Sequence, residues 1–294
     1  VSTPMRVAVT GSAGKIGREA VRALKAAGHR VIGLDLRAAT IDGVRTAAVD
    51  CTDFGAVLGA LSGIDTMFGM APVPQLPDAV VHLAGIPAPG LSDDARVFDV
   101  NTLSTYNVFS ACARLGIRRI VWGSSETILG LPFNTPPAFL PIDETHPDLP
   151  NWSYAMAKFL GEQMADQVTR WHQTLSIASL RFSNVFDVTD YAQQPAAAAN
   201  PHFRKFNAWG YVDARDAGEA CRLAVEAAFA GHERMIIAAA DNITGHSSAE
   251  LAAAHFPQSP FKSRLEGDAS LLSSARAGAV IGYQPRFSWR NVKA

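Results

Sequence analysis

The apolar positions of this chain fall into short β-branched runs separated by longer stretches of helical spacing. Met5 to Thr10 (MRVAVT) is a run of the kind buried on both faces of a sheet. It leads into the turn Gly11-Ser12-Ala13-Gly14-Lys15-Ile16-Gly17, and Gly17 to Ala27 then carries Val21 and Leu24 on one helical face before Gly28. Further strands are predicted at Arg30–Leu34, Thr46–Val49, Ala79–Leu83, Arg119–Trp122, Leu175–Phe182 and Met235–Ala239. Helices are predicted between them: one capped by Asp53 and running to Leu61, one from Ser92 to Leu115 closed by Gly116, one through Tyr154 to Gln173, and one from Asp213 to Ala230. Strands and helices alternating in this way predict an α/β protein with a doubly wound parallel sheet, Rossmann-like in form. Thr66–Pro77, with three prolines, reads as an excursion, and Gly130–Pro150 as a loop. Asp187–Ala208 reads as an irregular segment over the active site. Short helices at Ser247–His255 and Ala269–Ala277 predict a small C-terminal lobe.

Composition narrows the function. The 294 residues are 48% hydrophobic and 18% charged, an ordinary globular balance. A net charge of −1 gives no footprint for nucleic acid or an anionic membrane. No apolar run reaches membrane-span length, and Val1-Ser2-Thr3-Pro4 leads straight into a strand, so neither a membrane span nor a signal peptide is expected. Cys51, Cys112 and Cys221 are scattered and odd in number, which predicts a reducing, cytoplasmic setting. Neither they nor the eight histidines show ligand spacing, so no metal is expected. The histidines are expected mostly at the surface or singly satisfied.

The candidate chemistry lies at strand ends. A glycine turn between strand and helix leaves backbone N–H groups at a helix N-terminus, a seat for a pyrophosphate. There Gly11 permits the tight turn, Gly14 lets backbone approach phosphate, and Gly17 lets helix and strand pack closely. Asp35, eighteen residues after Gly17, stands where an acid binds adenosine ribose hydroxyls, or it is a solvated acid at a strand end. Arg37 would suit a 2′-phosphate instead, which keeps NADP as the lesser alternative to NAD. Ser125 ends the fifth strand on the side where open parallel sheets bind ligands. Tyr154 and Lys158, four apart, share one face of a helix. A cation beside a phenol favours the phenolate, and the pair can then move a proton to or from a hydroxyl or carbonyl.

Taken together, Thr10-Gly11-Ser12-Ala13-Gly14-Lys15-Ile16-Gly17 (TGxxGxxG), Ser124-Ser125-Glu126-Thr127-Ile128-Leu129-Gly130 (SSxxxxG) and Tyr154…Lys158 (YxxxK) resemble the extended short-chain dehydrogenase/reductase family, in its NAD-dependent epimerase/dehydratase branch. Leu180-Arg181-Phe182-Ser183-Asn184 and Tyr211-Val212-Asp213-Ala214-Arg215-Asp216 are similar to two further family segments. The resemblance implies NAD held by Gly11 to Gly17, by Asp35, Leu36 and Arg37, by Asp50 and Cys51 at the adenine, by Leu83-Ala84-Gly85 beneath the cofactor, and by Asn101, Tyr154 and Lys158. It implies Ser125, Tyr154 and Lys158 as the catalytic set, with Ser125, Glu126, Thr127 and Asn184 on a small-molecule substrate. An NAD-binding domain of residues 1–182 and 209–240 is expected, with a substrate lobe of 183–208 and 241–294. A homodimer is expected, paired through Ser92–Leu115 and Asn151–Gln173.

The departures bear on the reaction. The adjacent Asp and Glu of dehydratases stand here as Glu126 and Thr127, an incomplete acid pair. The arginine with which nucleotide-sugar epimerases hold a diphosphate aligns with Trp209, although Arg204, Lys205, Arg264 and Arg286 could be brought near by the fold. The expectation is therefore an NAD-dependent dehydrogenase of a small sugar, sugar acid or related hydroxy compound. An epimerase that retains NAD is the alternative, and a non-catalytic NAD-binding regulator the second.

Overall fold

In the computed structural model, residues 3–63, 76–88, 90–133 and 135–291 are described. Most of the expected excursion at 66–77 lies outside them. The chain opens with β1 (Arg6–Thr10), α1 (Lys15–Ala26) and β2 (Arg30–Asp35), then β3 (Ala39–Ile41), β4 (Val44–Ala48) and α2 (Phe54–Leu61). β5 (Ala79–His82), α3 (Asp94–Leu115), β6 (Arg119–Ser125), α4 (Ser153–Trp171) and β7 (Ser176–Phe182) follow. The remainder is β8 (Val185–Phe186), α5 (Gln194–Ala199), β9 (Val212–Asp213), α6 (Ala214–Glu226), β10 (Gly231–Ile237), α7 (Ser248–His255) and α8 (Ala275–Ile281).

The main sheet has eight strands in the order β10-β7-β6-β5-β1-β2-β4-β3. Every pairing in it is parallel except that of β3 with β4. Alternation along β1 shows why its run is continuous. Val7 and Val9 join the cluster under α1 and α6, with Val21, Leu24, Ala217 and Cys221. Ala8 joins the opposite cluster, with Val108, Phe109, Trp122 and Val168 of α3, β6 and α4. Both faces of the strand are thus covered by helices. A third cluster gathers Leu131, Leu140, Phe186, Trp209, Tyr211, Leu251, Phe256 and Leu272.

The helix ends follow their capping residues. Asp53 accepts from Ala56 N at 3.1 Å to start α2, and Gly116, at φ 71°, stops α3. The start of α3 differs from expectation: its cap is Asp93, which accepts from Arg96 N, and not Ser92.

Four expectations need correction. β3 was not foreseen, although Asp42-Gly43 announces it. Both residues have positive φ, 49° and 75°, and close a two-residue hairpin between Ile41 and Val44. α6 stops at Glu226 and β10 starts at Gly231, four residues before the predicted strand. Arg119 Nη1 holds the carbonyls of Val225 and Ala227, both at 3.0 Å, where the helix gives out. The first half of β10 was hidden by polarity, because His232 and Arg234 pair with Ser179 and Glu162. Asp187–Ala208 is largely helical, with turns at Asp190–Gln193 and Pro201–Asn207 flanking α5. The last α-helix is α8, shifted from the predicted Ala269–Ala277 because Leu271 and Leu272 are buried in the third cluster, Leu272 bridging to Ile142.

Candidate active site

The carboxyl ends of β1, β2, β5, β6 and β7 open into one cleft of about 920 Å³. At one end lies the glycine turn. Gly11 has φ +65°, and a Cβ on it would stand 2.7 Å from Ala84 N. A Cβ on Gly17 would stand 2.0 Å from Gly11 O, so only glycine lets α1 start this close to β1. Gly14, Ala13, Lys15 and Ile16 line the cleft beside them. Asp35 sits on its edge, its two carboxylate oxygens accepting from Ala13 N at 2.9 Å and Leu36 N at 2.8 Å. Leu36, Asp50, Cys51, Leu83, Ala84 and Gly85 also line it. Burial pushes the Cys51 thiol up to about 12, so it stays protonated and inert.

Three residues expected around the cofactor lie elsewhere. Ser12 is fully buried under the turn, its hydroxyl on Leu34 O and Thr46 Oγ1. Arg37 is exposed and does not line the cleft. Asn101 clasps the loop after β5 instead of lining the cavity. Its Oδ1 accepts from Ile86 N at 2.7 Å, and its Nδ2 donates to Ile86 O at 3.1 Å. Thr10 holds the same loop, its Oγ1 accepting from Leu83 N and Ala84 N, both at 3.2 Å.

At the other end, β6 delivers Ser125 and α4 delivers Tyr154 and Lys158, and all three line the cleft. Ser125 Oγ accepts from Thr127 N at 3.2 Å and from Thr127 Oγ1 at 3.0 Å. The Lys158 ammonium lies over the Trp122 and Tyr154 rings, 5.1 and 5.7 Å from their centroids. It donates to Gly123 O at 2.6 Å. The expected depression of the Tyr154 phenol does not appear in the chain by itself. Burial pushes it up to about 12, the Ser125 hydroxyl opposes that, and the Glu126 charge adds to it. Burial likewise lowers the Lys158 ammonium to about 8. Desolvation outweighs a cation already engaged with a carbonyl.

Glu126, Thr127 and Asn184 line the cleft beside Ser125, as do Trp152, Ser183, Phe206, Leu131 and Pro132. Trp152 and Ser183 adjoin residues the sequence had marked. Phe206 carried no signal, because the turn Pro201–Asn207 brings it in from a segment without clear period. Trp209, the position expected of a diphosphate-binding arginine, is fully buried, its Nε1 on Pro201 O at 2.6 Å and its ring against His255 and Phe256. Among the described residues, no group of three His, Cys, Asp or Glu could hold a metal, and no helix is long and apolar enough to cross a membrane. His29, His82 and His146 are buried, each with a hydrogen-bond partner.

The cradle at Gly11–Gly17, the carboxylate at the end of β2 and the adjoining Ser125, Tyr154 and Lys158 fit a dinucleotide with its reactive end at Ser125. Residues 7–239 match the family described as the NAD dependent epimerase/dehydratase family. The chain is 27% identical over 190 residues to a UDP-glucose 4-epimerase of Bacillus subtilis, covering 62% of this chain and 53% of that one. It is 31% identical over 184 residues to an L-arabinose 1-dehydrogenase (NAD(P)(+)) of Haloferax volcanii, covering 60% and 65%. The match therefore spans between half and two thirds of these relatives' lengths. Among solved structures, a short-chain dehydrogenase/reductase superfamily protein from Agrobacterium tumefaciens with bound NAD superposes with a TM-score of 0.68 at 25% identity, covering 98% and 94% of the two chains. The UDP-glucose 4-epimerase of Thermus thermophilus, complexed with NAD, shares the fold with a TM-score of 0.70 at 23% identity, covering 98% and 96%. The chain is thus a member of the NAD-dependent epimerase/dehydratase family, an extended short-chain dehydrogenase/reductase with NAD as its cofactor.

Proposed function

We propose that this protein is a dehydrogenase that oxidises one hydroxyl of a small sugar, sugar acid or related compound, with NAD exchanging at each turnover. Gly11, Ala13 to Gly17, Asp35, Asp50 and Leu83 to Gly85 would hold NAD, which supplies the redox capacity when bound. Ser125 orients the substrate hydroxyl toward Tyr154, which as the phenolate would take its proton and become the neutral phenol. Lys158, between Tyr154 and Gly123 O, would hold the cofactor's ribose and favour the Tyr154 phenolate from which the proton is taken up. Residues 183–208 and 241–294 would form the lobe that closes on the substrate.

The lining of the cleft beside Ser125 carries this reading over epimerisation of a nucleotide sugar. Among the described residues, the lysines and arginines that line the cleft are Lys15, Arg96 and Lys158. Of these, Lys15 is paired with Asp187 and Asp190 and reaches Val185 O, and Arg96 stands 3.9 Å from Asp99. Trp209 is buried, and Arg264 and Arg286 are exposed or partly so and do not line the cleft. A diphosphate would lack the charge-assisted clamp that tethers a sugar while it turns over. The test mixes enzyme, excess NAD and candidate sugars, following NADH absorbance and product stereochemistry together. Stoichiometric NADH with an oxidised product is expected. An inverted sugar with no net NADH would establish the epimerase instead.

A homodimer through α3 and α4 belongs to the same proposal. Of the apolar residues on α3, Val97 and Phe109 are fully buried in the chain's own core. The faces left outward carry Leu103, Tyr106 and Met156, all exposed. Light scattering should give twice the chain mass at micromolar concentration, and Tyr106→Glu should give the monomer.

A further inference from the structure

Glu126 follows Ser125 directly and opens the turn Glu126–Leu129. Its carboxyl is buried at 5% exposure yet lines the cleft. Oε1 accepts one long hydrogen bond, from Asn207 Nδ2 at 3.3 Å, and Oε2 has no partner among the described residues. The same is true of Asn207 Oδ1, Arg204 Nε, Trp152 Nε1 and Ser183 Oγ, the last facing the carboxyl without completing a bond. A buried carboxylate so thinly satisfied costs several kcal/mol in general, and proteins keep such groups where they serve function.

We propose that Glu126 selects the substrate: Oε2 accepts from a hydroxyl neighbouring the one that reacts, so the site takes a neutral polyhydroxy compound and rejects one bearing a carboxylate there. This rests on the oxidoreductase reading above and narrows it from sugars and sugar acids to sugars. The argument is one of complementarity. The unpartnered atoms that belong to the cleft lining are an acceptor on Glu126, a donor on Trp152, and a hydroxyl on Ser183 that is both. Sugar hydroxyls both donate and accept, so they can answer such a mixed set. A carboxylate only accepts and would lie against the Glu126 charge. Arg204 is poorly placed to rescue it. Its Nη2 already donates to Asn184 Oδ1 at 3.3 Å and Gly210 O at 3.2 Å, its carbon lies 5.2 and 5.0 Å from the Phe186 and Phe206 ring centroids, and it does not line the cleft.

The acceptor role has a pH signature. Burial pushes the Glu126 carboxyl up to about 7, against the opposing effects of Ser183, Asn207, Arg204 and the Asn184 backbone N–H. The charged or titratable groups facing it are Arg204 and Tyr154. Tyr154 stays neutral well above pH 7 because its phenol is pushed up to about 12. Glu126 is therefore the group that changes state near neutrality, becoming a pure acceptor as pH rises.

The experiment titrates D-glucose, D-galactose, D-xylose and L-arabinose, with D-glucuronate and D-galacturonate as acid counterparts. Binding is read by calorimetry on NAD-loaded protein carrying Tyr154→Phe, so that no turnover intrudes. At least one neutral sugar should bind about tenfold more tightly at pH 8.5 than at pH 5.5 and more tightly than its acid counterpart. Adding Glu126→Gln should flatten that dependence with NAD affinity unchanged, while Glu126→Asp should retain it. Binding of no neutral sugar, tighter binding of the acids, or a pH dependence that survives Glu126→Gln would overturn the proposal. NADH formation by the Tyr154-intact protein is followed separately. The expected binding without NADH would uphold Glu126 and remove the oxidoreductase reading, and NADH with an unaltered Glu126→Gln binding profile would do the reverse.

Discussion

The Lys158 ammonium donates to the Gly123 carbonyl across 2.6 Å, and that bond ties α4 to the strand that ends in Ser125. It is made inside the fold, where burial lowers the ammonium to about 8. The two facts together say that Lys158 is kept at a cost to stability.

Lys158→Met should therefore lower kcat/KM by at least about a hundredfold while raising Tm at pH 7. The sign follows from the shift. The folded protein releases this proton near pH 8 and the unfolded chain near 10.5, so the wild-type penalty is full below pH 8 and fades as pH rises toward 10.5. The Tm advantage of the variant should shrink over that same window. A loss of Tm at pH 7 would show that the Gly123 bond outweighs the desolvation.

Tyr154→Phe removes only the hydroxyl. In the chain by itself burial pushes the phenol up to about 12, so the substitution removes no resting charge. Turnover should fall by about a thousandfold or more, with NAD affinity within about twofold of wild type. Residual turnover near the wild-type rate would assign the proton transfer to another group.

Asp35→Ala should narrow or reverse the preference for NAD over NADP. The carboxylate braces Ala13 N and Leu36 N at the cleft edge and leaves its remaining lone pairs for ribose hydroxyls. A 2′-phosphate would be repelled there, and Arg37 stands exposed two residues on. KM values for both cofactors in wild type and variant decide it. A wild type that prefers NADP would reverse the role given to Asp35.

Much of this site was legible because its residues sit at strand ends, and the strands are apolar runs. β1, β5 and β6 announce themselves, and the turn or serine that follows each is then fixed in space. β10 was only half legible, because His232 and Arg234 are polar residues bonded inside the fold, to Ser179 and Asp166 in one case and Glu162 in the other. Asn101 was placed near the cofactor, yet it acts on Ile86, since contact through a loop leaves no mark in a motif. Phe206 and Asn207 could not be found at all, and Arg204 was named only as a cation the fold could bring near. They come from an aperiodic stretch whose helical turns are fixed by burial of Tyr191, Ala197 and Ala208 in the third cluster. Local sequence does not encode that contact.

The last prediction concerns how closely α4 approaches the sheet. Gly161 lies on α4 beyond Lys158, and a Cβ built there would stand 2.3 Å from Trp122 Cη2 and 2.5 Å from Trp122 Cζ2. Trp122 is 1% exposed and packs edge-on against Phe109, so it has no room to retreat. Alanine is the better helix former by about 1 kcal/mol, and in open space the change would stabilise. Here overpacking should win, for a net destabilisation of about 1–3 kcal/mol. The same displacement would lift Lys158 from Gly123 O and move Tyr154 relative to Ser125, so kcat/KM should fall by about tenfold or more even where the protein stays folded. Gly59→Ala is the control. Gly59 is also helical, in α2, with nothing among the described residues within 4 Å of where a Cβ would stand, and its replacement should raise stability and leave activity alone. Denaturant melts and kinetics on both variants, and on Gly161→Ala combined with Trp122→Leu, separate the effects. Relief of the activity loss in the double variant would identify the Trp122 contact as its cause. A Gly161→Ala protein as active and stable as wild type would mean that α4 is not held at this distance.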